Sequence, residues 1–274
     1  MALPLQDTHI PAHRSAVPPR LISPLVRVAK GAAGFVVVAG VWELACLAGI
    51  IKPTAAPSAA GFMSALVTSL HAGALAATAA TIEAWGITVL VSVAIGCVIG
   101  LLTGIFAWLD AVTSVFFDFA RTLPPIAILP AVIVIVGVGQ SLEVIIAITA
   151  AVWPVLLGAH YGVSHTDPRM IDTGRAMQLG RAKRLYKIII PSALPSIATG
   201  MRLTAIIALA AVIGVELVGG TGHGLGSYVA AATSTGATSQ AYAGAFIAAI
   251  LGLAITGVFF LAERRALRWT SSYR

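Results

Sequence analysis

The chain has 274 residues, is 58% hydrophobic and only 10% charged, and carries a formal net charge of +7. With a mean hydropathy of +0.96, it has too little charged surface to coat a soluble domain, and the composition is that of a polytopic membrane protein. The basic excess does not point to nucleic acid, because the cations fall between apolar stretches, where membrane orientation needs them.

Residues 1–20 hold four prolines and read as part of a disordered tail over 1–30. The apolar run that follows is too long for a signal-peptide core and is expected to be retained. "WELAC" (42–46) has Glu43 where a lipoprotein cleavage site needs an aliphatic residue. The two cysteines, Cys46 and Cys97, lie inside apolar runs and suggest neither a disulfide framework nor a metal site.

A membrane crossing takes roughly 20 mostly apolar residues. The pattern predicts span one at 31–51 and a weakly amphipathic stretch at 58–80, interfacial or the start of a long helix. Span two follows from about Ile82 to Leu109. "DAVTSVFFDFARTLPP" (110–125) is too polar for free lipid exposure, and Pro124-Pro125 ends any helix there. Span three is a short run at 126–139 broken by Pro130, span four 142–163, span five about 192–217, and span six about 241–261. The predicted fold is therefore all-α with about six transmembrane helices over 31–270, and a short tail at 271–274.

Loop charges orient this arrangement. With both termini cytoplasmic, the inner segments hold Arg14, Arg20, Arg27, Lys30, Arg121, Arg169, Arg175, Arg181, Lys183, Arg184, Lys187, Arg264, Arg265, Arg268 and Arg274. The outer loops hold only Lys52, and Arg202 lies within span five. That asymmetry favours an even number of spans in the inner or plasma membrane. Gly96, Gly100 and Gly104 in span two, and Gly244, Ala248 and Gly252 in span six, are small-residue repeats that let helices approach closely, within the chain or across a dimer seam.

The inner loop at 164–190 is the most distinctive segment. Asp167 can cap a helix that starts at Pro168. Met170, Ile171, Gly174, Met177 and Gln178 then share a face, and Gly180 is the expected stop or bend. A second helix sets Ala182, Leu185, Tyr186 and Ile189 against a basic face of Arg181, Lys183, Arg184 and Lys187, ending at Pro191 and Pro195. Two readings stay open on amphipathicity alone. The basic face can lie on anionic lipid headgroups, and the first helix, with Gly174 and Met177, can dock into another protein.

The segment resembles the cytoplasmic "EAA" loop of permease subunits of bacterial ATP-binding-cassette importers. Asp172 falls at the Glu position, Thr173 and Gly174 at the two Ala positions, Gln178 at the Gly, Ile188 at the Ile, and Ile190-Pro191 at Leu-Pro. The spacing holds while four residues depart from the pattern. "RTLPPIAILPAVIVIVGVGQSLEV" (121–144), "VELVGGTGHGLGSYV" (215–229) and "LAERRALRW" (261–269) are similar to the branch that imports sulfonates, taurine, nitrate and related compounds, within a family that also imports thiamine precursors and other heterocycles. The resemblance implies a type I importer permease working as a homodimer. Its implied partners are two copies of an ATPase that bind ATP and Mg and dock on the loop, and an extracytoplasmic binding protein. No nucleic acid is implied, and membrane lipids are the surroundings.

No Walker A sequence, paired carboxylates, His-x-x-His or nucleophile elbow occurs, so no catalytic residue, cofactor or metal is expected in this chain. The cluster "GGTGHGLG" (219–226) reads as a flexible outer loop. Ionisable residues inside spans are functional candidates by default, which singles out Glu43, Arg202 and Glu216 as translocation-path residues. Arg202 can attract an anionic solute, or pair with a carboxylate on another helix. Along a helix, Arg202 and Glu216 stand roughly 20 Å apart and cannot pair with each other. Asp118 and Arg121 are expected to pair locally. A stand-alone secondary transporter or channel remains the rival, though no inverted repeat or acidic relay is evident.

Overall fold

The computed structural model describes residues 24–50, 52 and 55–267, and every regular element among them is helical. The expected tails fall largely outside this range, as do Arg14, Arg20, Arg268 and Arg274 of the charge pattern. Residues 24–30, expected in the tail, are helical.

The chain divides into two units. The first holds α1, Pro24–Leu47, which closes in a turn with Gly49 at φ +71°. The second begins with α2 (Ala59–Ser69), capped by Ser58 Oγ accepting from Gly61 N at 3.2 Å. A kink at Ala72 and Gly73, where Gly73 takes φ +103°, turns the chain into α3 (Leu75–Ile105). The weakly amphipathic stretch is thus a short helix leading into a long one. Next come α4 (Ala107–Ala120), a 3-10 turn at Pro125–Ile128 and α5 (Leu129–Val136). Helix α6 (Gln140–Ser164) returns across the bundle to α7 (Pro168–Ala176). Helix α8 (Arg181–Arg184), a π-helical turn (Leu185–Ile189) and α9 (Ile190–Val218) follow without a break, and α10 (Gly224–Ser234) and α11 (Thr238–Ala266) complete the chain.

Among the described residues, four helices are long and apolar enough to cross a bilayer: Ala59–Ile105, Gln140–Ser164, Arg181–Val218 and Thr238–Ala266. The pair Ala107–Ala120 and Pro125–Val136, bent by 83°, makes a fifth if it counts as one span. The expected six are not all present among the described residues. Two segments account for the difference. The break at Pro124-Pro125 and the stop at Gly137, with φ +76°, leave α5 only eight residues, roughly 12 Å of helix, too short for a hydrocarbon core of about 30 Å. In α1 the apolar helical stretch is only Val36–Leu47.

Helix α6 is the centre of the second unit and packs along both α3 and α9. Close approach comes from small residues on facing surfaces. The buried face of α3 runs Thr81, Ala84, Thr88, Ser92, Gly96, Gly100, Thr103. A Cβ on Gly100 would stand 2.8 Å from Ala159 Cβ, and one on Gly104 2.8 Å from Val163 Cβ. The Gly96/Gly100/Gly104 repeat therefore seats α6 within the chain rather than forming a dimer seam. On the other side a Cβ on Gly200 would stand 2.7 Å from Pro154 O, next to the carbonyl ladder that Pro154 interrupts. Such contacts supply dispersion energy where lipid offers no hydrophobic drive. Along the bundle, Leu129, Leu142, Ile146 and Val215 form one core cluster, and Ala159, Val163, Ala193 and Ile197 another nearer α7. Trp85 Nε1 ties α3 to α9 by donating to Ala205 O at 2.8 Å.

Candidate functional site

Helix α6 hands the chain to α7 through a tight connection. Thr166 is buried, with Oγ1 donating to Gly162 O at 3.3 Å. The Asp167 side chain accepts from Arg169 N at 2.9 Å, with Pro168 in the first turn, as the cap signal in the sequence predicts. Thr173 Oγ1 donates to Arg169 O at 2.8 Å, and Arg175 Nη1 donates to Asp172 Oδ1 at 2.9 Å on the exposed side of α7. Asp172 and Thr173 are both exposed.

The helix ends at Ala176, four residues before Gly180. Gln178 N donates to Arg175 O at 2.8 Å and Leu179 N donates to Gly174 O at 3.0 Å, the paired bonds of a Schellman stop. Its left-handed residue is Gln178, at φ +56°. Glycine is favoured there because an L-residue in that region costs roughly 1–2 kcal/mol. The position at which the EAA pattern has Gly is therefore the position at which the backbone needs one, and this chain bears the strain with Gln. Gly180 instead begins α8, with φ −59° and ψ 160°.

Gly174 is buried against the following helix, where a Cβ would stand 2.6 Å from Ile188 Cδ1 and 3.3 Å from Arg184 Cγ. Met170 and Met177 are 47% and 69% exposed. Gly174 and Met177 thus do not share one free face: the glycine seats α7 on its own chain, and the methionines stand outside. The second expected helix also differs, since it does not stop at Pro191 and Pro195. The π-helical turn carries it straight into α9, so Pro191 and Pro195 lie inside a continuous helix, each removing one backbone donor from its ladder. Lys183, Tyr186 and Lys187 remain exposed along it, and Arg184 is half-buried.

Within the spans, Arg202 Nη1 lies 3.4 Å from Glu263 Oε2 of α11, and Thr199 Oγ1 donates to Glu263 Oε1 at 3.0 Å. No aligned hydrogen bond reaches Glu263 Oε2, so the contact with Arg202 is a loose ion pair between helices. That is the pairing alternative raised for Arg202. Asp118 and Arg121 pair locally at 3.0 Å. Glu43 lies in α1, half-buried.

Glu216 is 1% exposed and fully engaged. Thr81 Oγ1 lies 2.8 and 3.1 Å from its two carboxylate oxygens, and Gly226 N donates to Oε2 at 2.8 Å. Thr81 Oγ1 also accepts from Leu225 N at 2.8 Å, and Ser227 Oγ donates to Glu216 O at 2.9 Å. The carboxylate therefore caps α10 from a distance, at a helix end where negative charge is favoured. Gly224, at φ +85°, lies so close that any side chain would enter the carboxylate. The 219–226 segment is thus a pinned turn with Thr221, Gly224, Leu225 and Gly226 buried, not the flexible loop its glycines suggest. Beside it, Glu143 of α6 is 3% exposed and faces Thr221 and His223.

Sequence reasoning missed Glu143, Glu263 and Thr81. For Glu263 a signal existed: Arg202 needed an opposite charge at its own depth, and "LAERR" carries one. Among the described residues no group of three His, Cys, Asp or Glu side chains converges as a metal set would.

The family model for "Binding-protein-dependent transport system inner membrane component" matches residues 92–268. The chain belongs to this family. The match runs from the middle of α3 through α11, so it includes α7 and the pinned turn. Among curated relatives, the chain is 28% identical over 183 residues to the putative aliphatic sulfonates transport permease protein SsuC of Bacillus subtilis (strain 168), covering 65% of this chain and 66% of that one. It is 30% identical over 135 residues to the bicarbonate transport system permease protein CmpB of Synechococcus elongatus, covering 49% of each. The chain thus spans about half to two thirds of the length of these curated relatives. The crystal structure of an amino acid ABC transporter with histidines superposes with a TM-score of 0.62 at 20% identity, covering 74% of this chain and 98% of that one. The all-α, multi-pass membrane fold expected from the sequence is the one these permeases share.

Proposed function

We propose that the chain is the permease subunit of an ATP-driven importer, working as a pair of copies with the translocation path between them. Two copies of a separate ATPase grip the 164–190 loops, and an extracytoplasmic binding protein delivers the solute. The observation that carries this reading is the construction of α7. It is a short helix capped at both ends, fastened to its own chain through Gly174, and presenting Met170, Asp172, Thr173 and Met177 outward. That is how a docking knob has to be built, because a partner can move it only if it is rigid and firmly attached.

In this reading the α7 end faces the cytoplasm, where the cations of 169–187 belong, and both termini lie on that side. ATP-driven closure of the ATPase pair moves the two α7 helices, and the spans alternate between inward and outward openings. The solute is a small anion, as the names of the sulfonate and bicarbonate relatives suggest. Arg202, held only loosely by Glu263, is the path residue most able to meet it.

The test is co-purification with an ABC ATPase co-expressed with the chain. Deleting 169–180, or replacing Met177 with Arg, should abolish association while the chain still inserts in the membrane. Undiminished association of both variants would overturn the reading.

A further inference from the structure

Glu143 of α6 and Glu216 of α9 are both buried at the end of the bundle opposite α7, each next in sequence to a residue of the cluster in which Leu142 packs against Val215. Their surroundings are unequal. Glu216 takes the Thr81 hydroxyl and the Gly226 N–H, whereas Glu143 has only the Thr221 hydroxyl and the His223 ring facing it. Glu143 Oε1 is buried with no hydrogen-bond partner. A carboxylate oxygen left without a partner there is costly, and a second buried carboxylate nearby makes it more so. Nor do the other neighbours hold a fixed positive charge. From α3 the pocket receives Thr81, while Glu83 is exposed. Helix α5 has no titratable residue, and α10 contributes Ser227, whose hydroxyl is 3.1 Å from Thr221 Oγ1. From the turn comes His223, with Nδ1 2.7 Å from Thr221 O. That contact makes Nδ1 the donor and leaves Nε2 as the only nitrogen free to take up a proton.

We propose that Glu143 and Glu216 form a buried site for one positive charge, a proton or a monovalent cation, which fastens the 219–226 turn to α6 and α9. When the charge is present, Glu143 is satisfied and the turn stays on Glu216. When it is absent, the two carboxylates repel and α10 loosens at its N-terminus.

Hydrogen exchange of the 219–228 backbone, measured on the full chain in lipid nanodiscs and corrected for intrinsic rates, tests this. If the occupant is a proton, protection falls as pH rises from about 6 to about 9, by up to about tenfold per unit for one linked proton, whatever the salt. If it is a cation, protection falls when Na+ is replaced by choline at constant pH. In Glu143→Gln, which keeps shape and removes charge, neither condition should matter. Wild-type protection indifferent to both pH and Na+ would overturn the site, whatever the variants do. So would a wild-type response that survives in Glu143→Gln, or one lost in His223→Gln but kept in Glu143→Gln, since the charge would then sit on the imidazole. None of these substitutions touches 164–190, so association with the ATPase reports separately on the importer reading.

Discussion

Gly174 of α7 and Ile188 of the π-helical turn meet so closely that a β-carbon on the glycine would stand 2.6 Å from Ile188 Cδ1. These are two positions of the EAA spacing, fourteen residues apart, and the fold makes them neighbours. The obstructing atom is the end of a flexible side chain, so Gly174→Ala should cost only about 1 kcal/mol, whereas Gly174→Leu should cost ~2–3 kcal/mol by overpacking. Thermal unfolding in nanodiscs would register both, and Ile188→Ala should recover most of the loss from Gly174→Leu. Equal damage from Ala and Leu would mean the contact is not what limits the site.

Gln178 carries backbone strain that glycine would relieve. Gln178→Gly should stabilise the loop by about 1 kcal/mol, and Gln178→Val should destabilise it by at least as much. Hydrogen exchange of residues 170–180 is the direct readout. Faster exchange in the glycine variant would contradict the assignment of Gln178 as the left-handed stop.

Removing the Glu216 carboxylate leaves the α10 N-terminus without its cap. Glu216→Leu should cost ~3 kcal/mol, since hydrogen bonds to charged groups are worth about 1.5–3 kcal/mol and their buried partners are stranded. Thr81→Ala should cost less. Gly224→Ala should resemble Glu216→Leu, because its methyl would enter the carboxylate site. Proteolytic nicking within 219–224 together with the melting temperature would score all three.

For Arg202 and Glu263, each single neutralisation should be worse than the double. Arg202→Met or Glu263→Gln leaves one charge unpaired between helices, while Arg202→Met with Glu263→Met leaves none. Additive losses in melting temperature would show that the 3.4 Å contact carries no coupling.

How far the sequence could be read depended on whether a feature was local. The spans that became α6, α9 and α11, and the cap at Asp167, follow from composition and spacing within one helix, and they were legible to within a few residues. Apolar content alone could not show that 126–139 holds only eight residues of α-helix, because hydropathy counts residues and takes no account of the turns at Pro124-Pro125 and at Gly137 and Gly139. The stop at Gln178 was hidden for the opposite reason: Gly180 is the better residue for such a stop, and packing of Gly174 on Ile188 decides against it. Glu143, Glu216 and Thr81 come from three helices, up to 135 positions apart along the chain, and no spacing rule brings them together. The glycines of 219–226 were misread as flexibility because glycine serves equally where chains must pass close.

The uninterrupted run from Arg181 to Val218 spans 38 residues, a rod roughly 57 Å long at 1.5 Å per residue. Near one end it carries Ile188 beneath α7, and near the other it carries Glu216 beneath α10. Its regular stretch is interrupted only by the π-helical turn at Leu185–Ile189 and by Pro191 and Pro195, and a tilt of about 5° around its middle moves each tip by ~2–3 Å in opposite directions. That is as large as the hydrogen-bond lengths by which Thr81 and Gly226 hold the carboxylate. A displacement of α7 at one end of the rod is therefore carried toward the fastening of α10 at the other.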